Sequence, residues 1–177
     1  MAEIAEVFPS KIICGILYYH KVNLEEVLSE LENQWGKIDV LSKVYCFSDG
    51  SSYYEKEMGS PIQRVFCSFE TLVDPSGLAE LKLITQRMEE GWSDKFKEVA
   101  RPVNLDPGHI TRGRMLLATT KDFAHRVYLH SGIYAEVTLL FKKSKVEPLT
   151  WTYPDLASGY WDEDLLKMRS IYQKGIS

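Results

Sequence analysis

RPVNLDPGHITRGRMLLATTKDFAHRVYLHSGIYAEVTLLF, residues Arg101–Phe141, holds three of the chain's four histidines, its longest apolar alternation and a dense set of charged and hydroxyl residues. Met115–Thr119 reads as a short apolar strand. His125–Leu129 and Ile133–Phe141 read as the arms of a hairpin, joined by His130-Ser131-Gly132, a Gly-containing loop of a common length. On the second arm Ile133, Ala135, Val137, Leu139 and Phe141 should point one way, and Tyr134, Glu136, Thr138 and Leu140 the other, because side chains alternate across a strand. Asp106-Pro107-Gly108 reads as a tight turn, since Pro fixes φ and Gly permits a positive one. The stretch is therefore a set of strands whose ends and turns carry polar chemistry.

Upstream, Lys11–Tyr19 (KIICGILYY) is continuously apolar, the pattern of a buried central strand. Asn23 with Glu26 forms a capping box, Leu24, Val27, Leu28, Leu31 and Trp35 recur at helical spacing, and Gly36 ends the helix. Ile38–Phe47 reads as a second strand closed by a Ser48-Asp49-Gly50 turn. A polar connection, Ser51–Pro61, leads to a third strand, Ile62–Phe69; it could form a lid or a short surface helix. Asp74 and Pro75 open a second helix with the stripe Leu78, Leu81, Ile84 and Met88, and Gly91–Ala100 reads as a loop or a surface turn of helix. Downstream, Trp151–Asp155 (WTYPD) breaks regular structure, with Tyr153–Pro154 a candidate cis bond. Asp162 caps a last helix carrying Leu165, Met168 and Tyr172, and Gly175 ends it.

This order predicts an α+β fold: a ferredoxin-like split βαβ core with a mainly antiparallel sheet, extended by a C-terminal β-hairpin and a terminal helix. The alternative is an α/β layer with more parallel pairing. One domain over residues 1–177, with 1–10 as a tail, fits the length.

The net charge of −4 argues against a duplex nucleic-acid module. Cys14, Cys46 and Cys67 sit apart, with no CxxC pair, which suggests neither zinc nor a disulfide framework. No secretory signal pattern opens the chain and no apolar run reaches the length of a membrane span, so the expected setting is cytoplasmic, without a membrane partner. P-loop, GxSxG, HExxH and GxGxxG signatures are missing. Asp74-Pro-Ser-Gly77 matches a GTPase DxxG element in only its two defined residues. No cofactor is named by these residues, and the oligomeric state stays open, a homodimer included.

Several clusters could carry chemistry. Asn104, Asp106, His109 and Thr111 either close a turn or rim a polar ligand. Lys121, His125 and Arg126 follow hydroxyls and suit a phosphate or carboxylate, or else form a solvated strand entry. Arg126, Tyr128, Tyr134, Glu136 and Thr138 share one face of the hairpin, where Glu136 is either a cross-strand partner or a general base. Asp106, His109, His125 and Glu136 are a possible metal set, but no ligand spacing such as HExxH appears and no metal is assigned. Trp151 and Tyr153 wall a pocket or anchor the crossing to the last helix.

The fragments YYEKEMG, SFE, RPVNLDPG, TTKDxxHRxYL, GIYAEVTL and WTYPD resemble a small bacterial and archaeal family described only as a domain of unknown function. The resemblance covers nearly the whole chain. Some members bear an automatic "GTP-binding protein" label, which would need phosphate loops that this chain lacks. The resemblance implies no established activity.

Two functions stand beside a purely structural role. The first is a site, binding or enzymatic, for a small anionic metabolite or nucleotide. It uses Lys121 and Arg126 as anion binders, His125 and Glu136 for proton transfer, and Asn104 and Asp106 as orienters, with His109, Tyr128 and Tyr134 nearby. The second is a non-catalytic module that binds protein or single-stranded RNA through the sheet face.

Overall fold

Ser10–Tyr19 forms strand β1 near the middle of the sheet, and every residue from Ser10 to Tyr18 is buried. A strand paired on both edges and covered on both faces leaves no place for an exposed side chain, which is why its sequence does not alternate. The computed structural model describes residues 3–47 and 54–176. After β1 come α1 (Leu24–Trp35), β2 (Ile38–Leu41), β3 (Tyr45–Cys46), α2 (Glu55–Met58), β4 (Ile62–Val73), α3 (Leu78–Lys95) and β5 (Val103–Ile110). Then follow β6 (Arg114–Thr119), β7 (Arg126–Tyr128), β8 (Tyr134–Lys142), β9 (Lys145–Pro148), α4 (Pro154–Ala157) and α5 (Asp162–Gly175). The strands lie in the order β2-β4-β1-β5-β6-β8-β7, with β3 beside β4 and β9 beside β8. Each of these pairs is antiparallel. The fold is α+β, and the parallel alternative does not hold.

Helices cover both faces. Ile12, Cys14, Ile16 and Tyr18 of β1 pack with Val27, Leu31 and Trp35 of α1 and with Leu81 and Trp92 of α3. On the opposite face Ile13, Phe66, Met115 and Leu139 pack with Leu156 of α4, Trp161, and Leu165 and Met168 of α5. The terminal helix thus supplies the lid of a second core.

Local chemistry sets the helix ends. Asn23 accepts a hydrogen bond from the Glu25 amide at 3.2 Å and donates to the Glu26 carboxylate at 3.3 Å. Gly36 closes α1 at φ 88°, where a side chain would be strained. Helix α3 continues through Gly91 to Lys95, so the first half of Gly91–Ala100 is helix and not loop. Trp92 explains the extension: it is buried in the first core and its indole N–H donates to Glu30 of α1 at 2.9 Å. Burying an indole outweighs the roughly 1 kcal/mol that one helical glycine costs.

Several expectations are corrected. Ile38–Phe47 is two short strands, β2 and β3. The Ser48-Asp49-Gly50 turn lies outside the described residues. Among those described, the cis peptide bond is Ser60–Pro61 and not Tyr153–Pro154. Asp106-Pro107-Gly108 is no turn but the middle of β5, paired with Gly15, Cys14 and Ile13 of β1. Its proline and glycine act on the other edge. The β5–β6 ladder begins only at Gly108 opposite Leu117. There the two backbones approach so closely that a Cβ on Gly108 would lie 1.9 Å from the Leu116 carbonyl oxygen. Pro107, one residue earlier, has no N–H to continue that ladder.

The alternation in β8 is interrupted too. Its register against β6 shifts between Met115–Leu139 and Leu116–Val137, leaving one extra residue at Thr138. Such a bulge exchanges faces. Ala135, with Ile133 just before the strand, packs toward Leu78 and Ala79 of α3, whereas Leu139 and Phe141 pack beneath α5.

Replacing Gly108 by Ala should destabilise the protein by roughly 3 kcal/mol, lowering Tm by about 10 °C. Gly91→Ala, where a Cβ meets nothing within 4 Å, should stabilise α3 by up to about 1 kcal/mol. Thermal unfolding of both variants measures the contrast.

Candidate functional site

Upstream of Pro107, β5 and β6 part, and among the described residues no strand lies beside the outward edge of β5. A backbone amide and carbonyl buried there must find other partners. The Leu105 N–H donates to the Glu89 carboxylate at 2.9 Å, and its carbonyl accepts from Lys82 Nζ at 2.6 Å. Helix α3 therefore replaces the missing strand with one anion and one cation. Lys82 also reaches Asp106 at 3.4 Å and Glu89 at 3.5 Å. Arg101 donates to Glu89 at 2.9 Å and to the Asn104 side-chain oxygen, and Asn104 donates to Asp106 at 2.8 Å. The Arg101 amide bonds to the Glu57 carbonyl, 2.9 Å, tying α2 to this edge.

The opening between the strands is a cavity of about 90 Å³ lined by Tyr54, Lys82, Arg101, Asn104, Asp106, Thr119, Thr120, Lys121 and Tyr153. Burial alone would raise the Asp106 carboxyl, but Lys82, then Arg64, and the Asn104 amide hold it below its usual range. Burial would lower the Lys82 ammonium; Asp106 and Glu89 reverse this and raise it. Both groups are thus charged near neutrality. The Tyr54 hydroxyl is pushed up to about 12 by burial and then by the Asp106 charge, so it remains a neutral donor.

A second cluster adjoins the cavity and holds two of its walls. Glu136 of β8 is only 2% exposed, and its Oε2 accepts from Arg126 Nε at 2.8 Å and faces His125 Nε2 at 3.0 Å. The other end of the Arg126 guanidinium donates to the Lys121 carbonyl at 3.0 Å and the Tyr153 hydroxyl at 3.3 Å. His125 stacks on Trp151, ring centroids 4.9 Å apart and 11° from parallel. At the β8 bulge, the Val137 carbonyl accepts from the Trp151 indole at 2.8 Å and the Thr138 carbonyl from the Thr152 hydroxyl at 2.6 Å. Carbonyls that the ladder leaves unpaired at the bulge thus anchor the WTYPD segment. Buried Arg64 of β4 pairs with Asp155, fixing the start of α4.

Of the expected residues, Asn104, Asp106 and Lys121 line the cavity, and His125, Arg126 and Glu136 form its support. Tyr128 and Tyr134 are cross-strand partners further along β7 and β8, packed edge to face at 5.3 Å, and neither lines the cavity. His109 is a correction. It alternates with Asn104 and Asp106 along β5, so its ring lies on the opposite face, fully buried near the start of α3. Thr111 is at the far turn, bonded to the Arg114 carbonyl.

Lys82, Glu89, Arg101, Arg64 and Asp155 were not anticipated. Lys82 and Glu89 had a readable signal: Lys82, Thr85 and Glu89 recur at i, i+3 and i+7, a polar stripe beside the apolar one. Arg64 gave none, since an arginine in a strand is ordinarily taken as solvent-facing.

A family model described as a domain of unknown function, DUF4416, matches residues 8–172. The chain belongs to the DUF4416 family. No curated protein and no solved structure matches it. Five of the six fragments quoted above meet at this one place; SFE lies instead beside Lys11 and Asp39. YYEKEMG supplies Tyr54, RPVNLDPG supplies Arg101, Asn104 and Asp106, and TTKDxxHRxYL supplies Thr119 to Lys121, His125 and Arg126. GIYAEVTL adds Glu136, and WTYPD adds Trp151, Tyr153 and Asp155. Among the described residues no group of His, Cys, Asp and Glu is placed to hold a metal ion, and no helix is long and apolar enough to cross a membrane.

Burial lowers the His109 pKa to about 4, against a small opposing effect of Asp74. Because the folded value lies below the unfolded one, the stabilising contribution is complete above about pH 6.5 and is lost as pH falls to about 4. Unfolding free energy should drop by about 3 kcal/mol across that window. His109→Phe should flatten this part of the profile; an unchanged slope in denaturant titrations would remove the assignment.

Proposed function

We propose that the cavity between β5 and β6 binds the anionic group of a small metabolite or nucleotide. One observation carries this reading: Lys82, Arg101 and Lys121, from three separate segments, face one cavity with the hydroxyls of Tyr54, Thr119, Thr120 and Tyr153. Cationic donors and hydroxyls held in a partly enclosed space suit a phosphate or carboxylate, which accepts several charge-assisted hydrogen bonds at once. Asp106, ionised at the floor, orients Lys82 and offers an acceptor to a hydroxyl or ammonium next to the anion. In this reading Arg126, His125 and Glu136 are positioning residues: they hold Tyr153 and the Lys121 backbone through the bonds described above.

The β1-α1-β2-β4-α3-β5 unit is read as a ferredoxin-like split βαβ core, supported by its strand order β2-β4-β1-β5 with antiparallel neighbours. A cytoplasmic setting agrees with the free thiols Cys14, Cys46 and Cys67. A second reading, a contact surface for a protein or single-stranded RNA, is favoured by Phe123, Val127 and Tyr128, all more than half exposed around the edge strand β7.

Thermal-shift and calorimetric titration with inorganic phosphate, small phosphomonoesters, dicarboxylates and nucleotides tests the first reading. A selective anion should raise Tm. Lys121→Ala should weaken that anion at least about tenfold, the scale of one charged hydrogen bond. Asp106→Asn should tighten it, because a like charge leaves the floor. If no anion shifts Tm, or if Lys121→Ala leaves affinity unchanged, the proposal fails. Capture of RNA or a protein abolished by Tyr128→Ser would favour the second reading.

A further inference from the structure

At the other end of the sheet, where the β5–β6 turn meets the segment before β1, lies an open cleft of about 370 Å³, apart from the site above. Its lining includes Phe8, His109, Arg112, Arg114, Leu116 and Leu140. The Tyr172 hydroxyl of α5 donates to the Pro9 carbonyl at 2.9 Å and so holds the segment that carries Phe8. Arg112 lies over the Phe8 ring, 5.3 Å from its centroid.

Three observations distinguish this cleft from ordinary surface. His109 is fully buried, yet neither ring nitrogen has a hydrogen-bond partner among the described residues. Buried side-chain nitrogens are nearly always hydrogen-bonded, so such an exception points to a ligand or solvent partner. Arg112 and Arg114 are exposed, and among the described residues neither is ion-paired with a carboxylate. In a chain of net charge −4, two exposed arginines lining one cleft, without described acidic partners, form a local positive field. The space between them and His109 is bounded by apolar side chains, and its volume falls in the usual range of small-molecule sites, roughly 300–1,000 Å³.

We propose that this cleft is a second ligand site, for a small amphipathic carboxylate. Arg112 and Arg114 bind the head, for which the guanidinium fork is matched. The apolar body lies along Phe8, Leu116 and Leu140. The neutral His109 imidazole beneath them donates its one ring N–H to the carboxylate. The site stands independently of the anion cavity, because it lies at the opposite end of β5 and shares no lining residue with it.

The test is titration of the full chain, labelled with ¹⁵N-histidine, with octanoate and with 2-naphthoate. Acetate and 1-octanol serve as head-only and tail-only controls. One equivalent of at least one acid should bind saturably and shift the His109 ring resonances, while both controls bind at least about tenfold more weakly. The double variant Arg112→Glu/Arg114→Glu, at exposed positions that leave the fold intact, should lose at least about tenfold in affinity with Tm unchanged. Leu116→Trp, which fills the cleft, should abolish binding. Absence of saturable binding by either acid, unmoved His109 resonances, or affinity that survives the double arginine variant would each overturn the proposal. Should Leu116→Trp fail to fold, the arginine variant still decides.

Discussion

The separation of β5 from β6 at Pro107 is the constraint on which the site depends. A sheet can open only where the exposed backbone edge is satisfied some other way, because an unpaired buried amide or carbonyl costs about as much as a lost hydrogen bond. Leu105 meets that condition through Glu89 and Lys82 of α3. Those two side chains in turn impose the local charge pattern: once a carboxylate and an ammonium are buried side by side, Arg101 and Asp106 complete a network in which each charge has an opposite neighbour. The cavity is what remains in the opened gap, and it is polar because backbone-capping groups surround it.

The bulge at Thr138 plays the matching part on the other side of the gap. By shifting register it turns Glu136 onto the cavity face and leaves two carbonyls for Trp151 and Thr152. The segment after β9 is thereby pinned across the sheet, carrying Tyr153 to the cavity and Asp155 to Arg64. Both irregularities, one at a proline and one at an inserted residue, act on backbone hydrogen bonding first and on side-chain chemistry second. Sheet defects of this kind are where side chains are re-aimed toward function.

The two ends of β5 also divide the chemistry of one strand. Asn104 and Asp106 face the charged cavity, whereas His109, with the opposite parity, faces a cleft whose described lining is largely apolar apart from Arg112 and Arg114. Alternation along eight residues thus places two environments of opposite character on the two sides of the sheet. Burial keeps His109 neutral, while two nearby cations keep Asp106 ionised.

The α+β class, the central strand Lys11–Tyr19, the Asn23 cap and the stripes of α1 and α5 are all legible in the amino-acid order. Each of these rests on local periodicity or on a side chain bonding its own neighbourhood. The same order also marked Asn104, Asp106, Lys121, His125, Arg126 and Glu136 as residues worth bringing together, because polar groups in so apolar a setting need a reason. That Asp106-Pro107-Gly108 is strand and not turn depends on the folded sheet, since the same dipeptides that favour a turn are tolerated where one sheet edge must stop pairing. Only the tertiary structure placed His109 on the far face, Lys82 and Glu89 beneath Leu105, and Arg64 against Asp155. Those contacts join residues distant along the chain, and a backbone hydrogen bond left open by one segment leaves no trace in the sequence of the segment that closes it.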